Sequence, residues 1–506
     1  MIHSCGQSHL QLKLNSEGFS TEFDQGYNYN PSILNPISQQ LYTAYLGKVT
    51  VDVSISGDII YLEKYHNIQN QQILVKVVDS SEHNLSEKFQ YSLNKLKSLS
   101  SHKINIIENK YYYVLTLLCK KKITQLNNNE KLKQQVDNEL EHLMKDTILS
   151  SRVKASYPEL ISVNPIKSLQ EYKKLYQHVV QYNSPVDVFF NTINYLDFLY
   201  KTTGLVSVNN LDSLVSISNV PNLDNAFFTG KYMVYGSGDE SFYPLSAIDV
   251  VGHELSHGLV SGTANLEYKG HSGALNESFA DIMGTMFEFY MYDTYPLLGG
   301  EKDWFIGEDL GINKPFLRSM SEPKKGKQPD KYKGEYYLNP NSQIDFGGVH
   351  INSGIPNYCF YLASQQQDKS KVLSTFITCL KSLNKKSNFI DFRDTLKYVS
   401  NNDPVVLSAL EKVGLNDFVV SDYNKNNQPQ PPKPQPKPQP KPQPKPQHYP
   451  RFPQQPIPYP PQHYPRFPQP PIPYPPQHYP RFPQPPIPYP PQHYPQFYYG
   501  YPYINE

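Results

Sequence analysis

Residues 251–258 read Val-Gly-His-Glu-Leu-Ser-His-Gly, with two histidines four positions apart and a glutamate directly after the first. On an α-helix this spacing places His253 and His257 on one face, one turn apart, so both imidazoles can reach one ion. Glu254 lies about 100° around the helix from His253, close enough to reach a water on that ion. Two neutral nitrogen ligands, an open coordination position and a nearby base are what a hydrolytic zinc site needs. The pentapeptide alone is only moderately specific, so the flanking sequence decides.

A second pair of candidate side chains follows at helical spacing. Nineteen residues separate His257 from Glu277, and Asp281 stands four positions after Glu277. Glu277 would add a carboxylate oxygen to the two nitrogens and leave one position for water. Asp281 is placed to accept the other N–H of a ligating histidine. The alternative is a pair of surface carboxylates, but Leu, Phe, Ile and Met surround both residues, and buried carboxylates need a cation.

The composition predicts a protein without a membrane span and gives no sign of nucleic-acid binding. The 506 residues carry a formal charge of +1, so no basic excess attracts nucleic acid or an anionic surface. The longest apolar run, Tyr111 to Cys119, is far too short to cross a membrane. The first ten residues lack a basic segment followed by an apolar run, so no signal peptide is visible.

The four cysteines are too few and too scattered for a disulfide framework or a Cys-x-x-Cys zinc site. A bridge between Cys359 and Cys379 and two buried free thiols are both open. The redox compartment therefore stays open as well.

Residues 1–165 show no catalytic constellation and are predicted to form an α+β accessory or pro-domain-like region. Period-two alternation predicts a strand over 48–55, and Gly57-Asp58 predicts a hairpin turn before 59–62. Residues 111–119 are predicted as another strand and residues 129–148 as a polar helix.

Helical apolar spacing dominates from about residue 165 to residue 413, interrupted by a turn-rich, strand-like stretch over 206–243. The predicted helices are 168–182, 186–202, 247–261, 275–292, 353–366, 369–383, 388–400 and 404–413. This pattern predicts a mainly helical C-terminal half.

The last segment, residues 424–506, has an unrelated composition. It contains 32 of the 46 prolines, a Lys-Pro-Gln-Pro run, and fifteen-residue repeats that begin at His448, His463 and His478, with a degenerate copy at His493. Its eight Lys or Arg and one acid give a net charge of +7, which leaves −6 for the rest of the chain. Such a sequence predicts a disordered polyproline-type tether. Its Tyr, Phe and Arg side chains could instead dock on a surface or matrix partner, and both readings stay open.

Further blocks extend the metal-binding pattern. They read Gly347-Gly-Val-His-Ile-Asn-Ser-Gly-Ile, Asn225-Ala-Phe-Phe, Asp303-Trp-Phe-Ile-Gly-Glu-Asp and Arg318-Ser-Met-Ser. With the Gly273-Ala-Leu-Asn-Glu-Ser-Phe-Ala-Asp-Ile-Met-Gly block and residues 253–257, they resemble the thermolysin-like metallopeptidases in order and spacing over residues 180–418. The resemblance implies a two-lobed α+β catalytic unit. Its β-rich N-terminal lobe would span 166–252, and its α-helical lobe, with the zinc site, would span 253–423.

The resemblance also implies one catalytic zinc ion and the residues around it. Three residues would bind the zinc: His253, His257 and Glu277. Glu254 would take the proton of zinc-bound water, and Asn276 and Asp281 would support the ligands. His350, oriented by Asp345, and Tyr268 would donate hydrogen bonds to the oxyanion.

Contacts with substrate are implied in the same way. The residues that would align an extended peptide or line its apolar pocket are Asn225, Ala226, Arg318, Val250, Ile306, Leu310 and Leu317. The expected reaction is therefore zinc-dependent endopeptidase cleavage of proteins or peptides on the amino side of large hydrophobic residues. The resemblance further implies an extracellular monomer. A rival hypothesis is a binding or matrix-associated protein that works through the tail repeats.

One or two structural calcium ions are implied as well, since converging acids without a cation would repel one another. The matching carboxylates are Asp249, Glu288, Asp303 and Glu308. Two positions depart from the family. Phe346 replaces a usual asparagine beside Asp345, and His271 matches no ligand and is predicted to be a loop histidine.

Overall fold

The computed structural model describes residues 37–80, 83, 85, 91–295, 302–313 and 315–416. The predicted proline-rich tail over 424–506 lies outside these residues. The described chain is a mixed α+β structure in which most strands precede residue 237 and the part after it is mainly helical, which confirms the predicted class. No helix among the described residues is long and apolar enough to cross a membrane.

The strands of the described residues form three sheets. They are β1 (Ile37–Tyr42), β2 (Lys48–Ser56), β3 (Ile59–Tyr61), β4 (Glu63–Ile68), β5 (Gln71–Asp79), β6 (Lys103–Asn105), β7 (Ser213–Val220), β8 (Ala226–Phe228), β9 (Met233–Gly236), β10 (Phe305–Ile306) and β11 (Arg318–Ser319). The predicted hairpin is confirmed, because β2 and β3 pair antiparallel around the turn at Gly57. The first sheet has the order β1-β2-β3-β6, and the smallest is the ribbon β10-β11.

The five-stranded sheet, β4-β5-β7-β9-β8, joins distant parts of the chain. Residues 74–79 of β5 pair in parallel with residues 213–218 of β7, and β7 pairs in parallel with β9. Side chains of β5 alternate between two cores, since Val77 packs in the main core and Val78 in a smaller one on the other face. Strand β8 forms one edge of the sheet and pairs only with β9 among the described strands.

The helices of the described residues are α1 (Leu93–Ser98), α2 (Ile106–Leu126), α3 (Glu130–Leu143), α4 (Thr147–Ser156), α5 (Pro158–Ile161), α6 (Leu169–Val180), α7 (Ser184–Thr203), α8 (Ile248–Gly262), α9 (Gly270–Thr294), α10 (Asp345–Asn352), α11 (Gly354–Ser364), α12 (Lys369–Ser382), α13 (Phe389–Val399) and α14 (Pro404–Lys412). Every helix predicted from residue 168 onward is present, with ends within a few residues, apart from α9, which begins at Gly270.

Two predictions for the N-terminal part need correction. The apolar run 111–119 lies in the middle of α2 and is not a strand. Asn105 begins that helix, since its side chain accepts hydrogen bonds from the amides of Ile107 and Glu108. The helix predicted over 129–148 is divided into α3 and the start of α4, because Asp146 caps a new helix there.

A buried carboxylate fixes the N-terminal part of the chain onto α7. Asp187, in the first turn of that helix, accepts hydrogen bonds from the amides of Ala44 at 2.6 Å and Tyr45 at 3.2 Å. The hydroxyl of Tyr45 donates to the carbonyl of Pro244 at 2.6 Å. These bonds connect residues on both sides of position 165, as the five-stranded sheet also does.

Helices α8 and α9 lie side by side at the centre of the molecule. They approach closely because glycines stand at their crossing. A Cβ on Gly284 would lie 2.6 Å from the carbonyl oxygen of Asp249, and one on Gly252 would lie 2.9 Å from the Phe287 ring. Both helices are buried on nearly every side, so the polar side chains that they carry are buried as well. The crossing brings the histidines of α8 to the acids of α9.

Two cysteines packed in the helical half are free thiols. Cys359 on α11 and Cys379 on α12 are both fully buried, and neither forms a disulfide. Burial raises the pKa of each thiol, so both stay protonated and behave as small apolar side chains.

Candidate active site

Three buried side chains at the helix crossing, His253, His257 and Glu277, form a group that we call the histidine cluster. The two Nε2 atoms lie 3.1 Å apart, and each lies 3.5 Å from a carboxylate oxygen of Glu277. A tetrahedron with metal–ligand bonds of about 2.1 Å has edges of about 3.4 Å. The two 3.5 Å distances involve different Glu277 oxygens, Oε2 for His253 and Oε1 for His257, and one donor atom from each residue lies within 4.8 Å of the others. The cluster therefore brings its donors close to the separations of a tetrahedral zinc site.

Neighbouring side chains fix the orientation of both imidazoles. Nδ1 of His253 lies 2.8 Å from a carboxylate oxygen of Asp281, and Nδ1 of His257 lies 2.8 Å from the amide oxygen of Asn276. Each oxygen accepts the Nδ1 proton, which leaves the Nε2 lone pair directed at the shared point.

Asp281 is itself held by two more residues. The guanidinium of Arg318 donates to both of its oxygens, at 2.9 and 2.6 Å, and the side-chain amide of Asn357 donates at 2.8 Å. Arg318 comes from the β10-β11 ribbon and Asn357 from α11, so separate elements converge on one carboxylate. The bidentate, buried ion pair with Arg318 leaves the Asp281 carboxylate little freedom to rotate.

The surroundings favour an ionised Glu277 and a neutral His257, whereas at His253 the lowering effect of burial on the pKa is outweighed by Asp281 and Glu277, which raise it. Burial alone would raise the pKa of Glu277, but the imidazoles of His350, His257 and His253 lower it to about 2. Burial lowers the pKa of His257 to about 4, so this imidazole is neutral near pH 7. An ionised carboxylate beside a neutral imidazole is the form that a divalent cation binds.

Glu254 lies next to the cluster and is completely buried. Both of its carboxylate oxygens lack a hydrogen-bond partner among the described residues. Burial raises its pKa to about 7, against the lowering effect of His253. A buried, unpartnered carboxylate with a pKa near neutrality has the properties of a general base.

Tyr268 and His350 lie on another side of Glu277. The Tyr268 hydroxyl donates to a Glu277 oxygen and lies 3.1 Å from Nε2 of His350. Asp345 accepts from Nδ1 of His350 at 2.6 Å and from its backbone amide at 2.8 Å. Although burial opposes protonation, Glu277 and Asp345 together raise the pKa of His350. The structure thus brings Tyr268, His350 and Asp345 together beside Glu277.

An unusual stretch of backbone carries Asp345. Four successive residues, Asp345 to Gly348, have positive φ values of 51°, 50°, 88° and 82°. Glycine is required at the last two positions, because a Cβ on Gly347 would lie 2.2 Å from the Pro340 carbonyl oxygen. The backbone turns back here so that one Asp345 oxygen also meets the amide of Ile351, at 3.1 Å.

The residues expected to contact substrate occupy two places. Ala226 begins β8, the last strand in the order of the described five-stranded sheet, and Asn225 directly precedes it. Ile306 and Arg318 are partners in the β10-β11 ribbon, and the Leu317 amide donates to the Ile306 carbonyl at 2.8 Å. Val250 and Leu310 are buried in α8 and just after β10.

A second group of acids, the acid cluster, consists of Glu288, Asp303 and Glu308. One carboxylate oxygen of each lies within 4.8 Å of the others. Burial and mutual repulsion raise the pKa of Glu288 strongly, and they raise that of Glu308 to about 10. The fourth expected member, Asp249, is not in this group. Its two oxygens accept from the amides of Val250 and Gly307, at 2.8 and 2.6 Å.

Comparison with known proteins agrees with this arrangement. The family model described as "Thermolysin metallopeptidase, catalytic domain" matches residues 94–261, and "Thermolysin metallopeptidase, alpha-helical domain" matches residues 264–409. The chain belongs to the thermolysin family.

The match to the catalytic-domain model begins at residue 94, so the expectation that the family resemblance begins near residue 180 is wrong. Strands before residue 94 also pair in the same sheet, since β5 lies next to β7.

Individual relatives cover parts of the chain. Neutral protease NprE from Bacillus pumilus is 40% identical over 204 residues, which are 38% of this chain and 64% of that protein. Bacillolysin from Bacillus subtilis (strain 168) is also 40% identical over 204 residues, 38% of this chain and 37% of that protein. Thermolysin from Bacillus caldolyticus is 48% identical over 147 residues, 28% of this chain and 25% of that protein. The chain thus spans less than two thirds of these relatives.

One solved structure is similar as well, the precursor of protealysin, a metalloproteinase from Serratia proteamaculans. Its TM-score is 0.40 at 32% identity, and the match covers 46% of this chain and 79% of that one.

The structure corrects the sequence interpretation at His271 and adds two residues to the site, Asn357 and Gln328. His271 is not a loop histidine. It lies buried in the first turn of α9, stacked on Phe389 at 4.3 Å between ring centroids. Asn357 and Gln328 were not predicted at all. The Gln328 amide donates to the His350 carbonyl at 2.6 Å. No sequence spacing predicts either residue, because each contacts a residue from a different segment of the chain.

Proposed function

We propose that this protein is a zinc-dependent endopeptidase. One observation carries the proposal: the histidine cluster has donor atoms 3.1–3.5 Å apart, next to a buried Glu254 that has no partner among the described residues. Family membership supports it, because the matching models are named for thermolysin metallopeptidase domains.

His253, His257 and Glu277 would hold the zinc. A bound zinc ion supplies Lewis acidity, which polarises a carbonyl oxygen and lowers the pKa of water. Glu254 then acts as the base that takes a proton from the attacking water. Its pKa of about 7 suits this exchange, since the group is partly ionised at neutral pH and can release the proton to the leaving amine.

His350 and Tyr268 would stabilise the negative charge that develops on the attacked carbonyl oxygen. Their donor atoms lie 3.1 Å apart, so one oxygen can meet both. Asp345 keeps the His350 ring in place and favours its protonated, donating form. Because these donors are fixed before substrate binds, little reorganisation is needed during the reaction.

The substrate would bind as an extended strand beside β8, aligned by Asn225 and the backbone of Ala226. Arg318, held by Asp281, would bind the carbonyl just after the scissile bond. An apolar pocket would take the following side chain, and its lining residues are Val250, Ile306, Leu310 and Leu317. This arrangement favours cleavage on the amino side of large hydrophobic residues.

The acid cluster would bind calcium. Its oxygen donors are of the hard type that calcium prefers, and one oxygen each of Glu288 and Glu308 is buried without a hydrogen-bond partner among the described residues. Asp249, the fourth carboxylate expected from the resemblance, would fix the amide of Gly307 beside Glu308.

We infer from the family resemblance that the protein acts outside the cell, as a monomer, on proteins or peptides. The division at residues 165, 252 and 423, and a partner for the proline-rich tail, stay predictions.

The test is the variant Glu254→Gln, which keeps the shape of the side chain and removes its basicity. We expect the full-length variant to bind one zinc per chain, measured by mass spectrometry of metals, and to lose at least about 100-fold in casein hydrolysis. The matched control is Glu411→Gln, at an exposed position on α14, which should keep full activity. Equal cleavage by zinc-loaded Glu254→Gln and wild type would contradict the proposal.

A further inference from the structure

Phe346 is a bulky residue in a conformation that usually belongs to glycine or asparagine. Its φ is 50° and its ψ is 34°, within the run of positive φ values from Asp345 to Gly348. In this region a side chain crowds the following carbonyl oxygen, so a phenyl group is disfavoured. The backbone needs this conformation for the contacts of Asp345, but it does not need a ring at position 346.

The ring of Phe346 lies beside the proposed oxyanion donors. Its centroid is 6.1 Å from that of Tyr268, with an edge-on interplanar angle of 61°. The same Tyr268 bears the hydroxyl that meets Glu277 and His350. Phe346 is only half-buried, so part of its ring remains open to solvent at the mouth of the site.

A second apolar side chain extends this surface. Ile344 stands two residues earlier and is 61% exposed. Ile344 and Phe346 thus place an exposed aliphatic side chain and a half-exposed aromatic ring on either side of Asp345. Both stand on a different element from the β10-β11 ribbon, which the proposed function assigns to the residue after the scissile bond.

We propose that Phe346 is a specificity-determining residue that contacts the substrate side chain on the carbonyl side of the scissile bond. This inference rests on the proposed peptidase function. Tyr268 and His350 would bind the oxygen of the attacked carbonyl, and the residue that carries this carbonyl lies nearest to them. Phe346 offers that residue an aromatic face, so the enzyme prefers peptides with an aromatic or large aliphatic side chain there, in addition to the hydrophobic residue that follows the bond.

The test uses two fluorogenic peptides that differ only at the residue before the scissile bond, phenylalanine in one and alanine in the other. For the full-length wild type we expect kcat/KM to be roughly tenfold higher for the phenylalanine peptide. Phe346→Asn should bring this ratio close to one and leave kcat/KM for the alanine peptide within about twofold, because asparagine tolerates the left-handed backbone. Phe346→Tyr keeps the ring and should keep the preference.

The outcomes separate the inference from its alternatives. If Phe346→Asn slows both peptides equally, the ring only holds Tyr268 in place and the inference is wrong. A wild type that cleaves both peptides at the same rate also overturns the inference and leaves the peptidase function intact. A wild type that cleaves neither peptide overturns both. Tyr398→Asn, at an aromatic residue that is 84% exposed on α13, serves as the control and should change no rate. Zinc content and melting temperature verify that each variant is folded.

Discussion

The histidine cluster and the acid cluster share helix α9 but place buried carboxylates in opposite surroundings. Glu277 and Glu288 are eleven residues apart on that helix, about 16 Å along its axis. Imidazoles and Arg318 surround Glu277 and lower its pKa to about 2. Other acids surround Glu288 and raise its pKa strongly. The first site is charged and oriented before a metal arrives, whereas the second needs a cation to become ionised.

This difference has a physical consequence. In the histidine cluster, hydrogen bonds and ion pairs from other elements hold the ligands, so metal binding requires little rearrangement. In the acid cluster, three carboxylates have oxygens within 4.8 Å of one another, so their protonated forms are favoured when no cation is present. We therefore expect loss of zinc to abolish activity with a small effect on stability, and loss of calcium to lower stability first.

The largest effect is expected from His257→Ala. Without this nitrogen the cluster keeps one imidazole and one carboxylate, which are too few ligands to hold a zinc ion. We expect zinc below 0.1 equivalents, roughly, and no measurable casein hydrolysis, with the fold retained by circular dichroism. The control is His142→Ala, at an exposed histidine of α3. A His257→Ala protein that still binds zinc and is active would contradict the assignment of the histidine cluster as the zinc site.

Asp281→Asn should have the next largest effect, because it leaves the Arg318 guanidinium buried without its counter-charge. We expect zinc affinity or activity to fall by roughly 10- to 100-fold, together with a lower melting temperature. Competition with a fluorescent zinc chelator measures the affinity. Unchanged affinity would show that the imidazole orientation does not depend on Asp281.

Removal of calcium is expected to cost stability. Protein treated with EGTA and reloaded with zinc alone should melt several degrees lower, roughly 5 °C, than protein in calcium at about 100 times its Kd. The double variant Glu288→Gln, Glu308→Gln should melt at the same temperature with and without calcium, measured by calorimetry. In calcium-free buffer it should be more stable than wild type, because Glu288 and Glu308 no longer have to take up protons on folding. A calcium response in the double variant would place the ion elsewhere.

The last effect is a pH dependence of the calcium-free protein. Burial and neighbouring acids raise the pKa of Glu308 in the folded state to about 10, above its value of about 4.3 when unfolded. Between these values the folded state holds more protons, so the free energy of unfolding should fall as pH rises from 5 to 10. Glu308→Gln should remove this part of the slope, and calcium should suppress it. A slope that the variant leaves unchanged would contradict the assignment.

Much of the candidate site could be predicted because it follows helical spacing. His253, Glu254 and His257 are one turn of α8, and Glu277 and Asp281 are one turn of α9, so periodicity alone set their geometry. The helix crossing that joins them depends on Gly252 and Gly284, which no pattern singled out. The supporting contacts of Asn357 and Gln328 arise from packing between distant segments.

The N-terminal part shows where sequence patterns become ambiguous. The nine apolar residues at 111–119 fit a buried strand as well as a buried helix, since both bury every side chain. The Asn105 cap that decides for a helix lies six residues earlier. The pairing of β5 with β7 links residues about 140 apart, and no local signal encodes such a partner.

The parallel pairing of β5 with β7 bears on how the chain could be processed. A single cut in the loop after α6 would leave two fragments joined by six strand pairings and by the Asp187 bonds to Ala44 and Tyr45. Such a nicked protein should stay assembled through a sizing column and keep its melting transition. Deletion of everything before residue 165 would instead strip two strands from one edge of the sheet and leave Asp187 buried without donors. Removal of that whole segment would therefore take β1 to β6 out of the molecule and leave β7 as an edge strand of a three-stranded sheet.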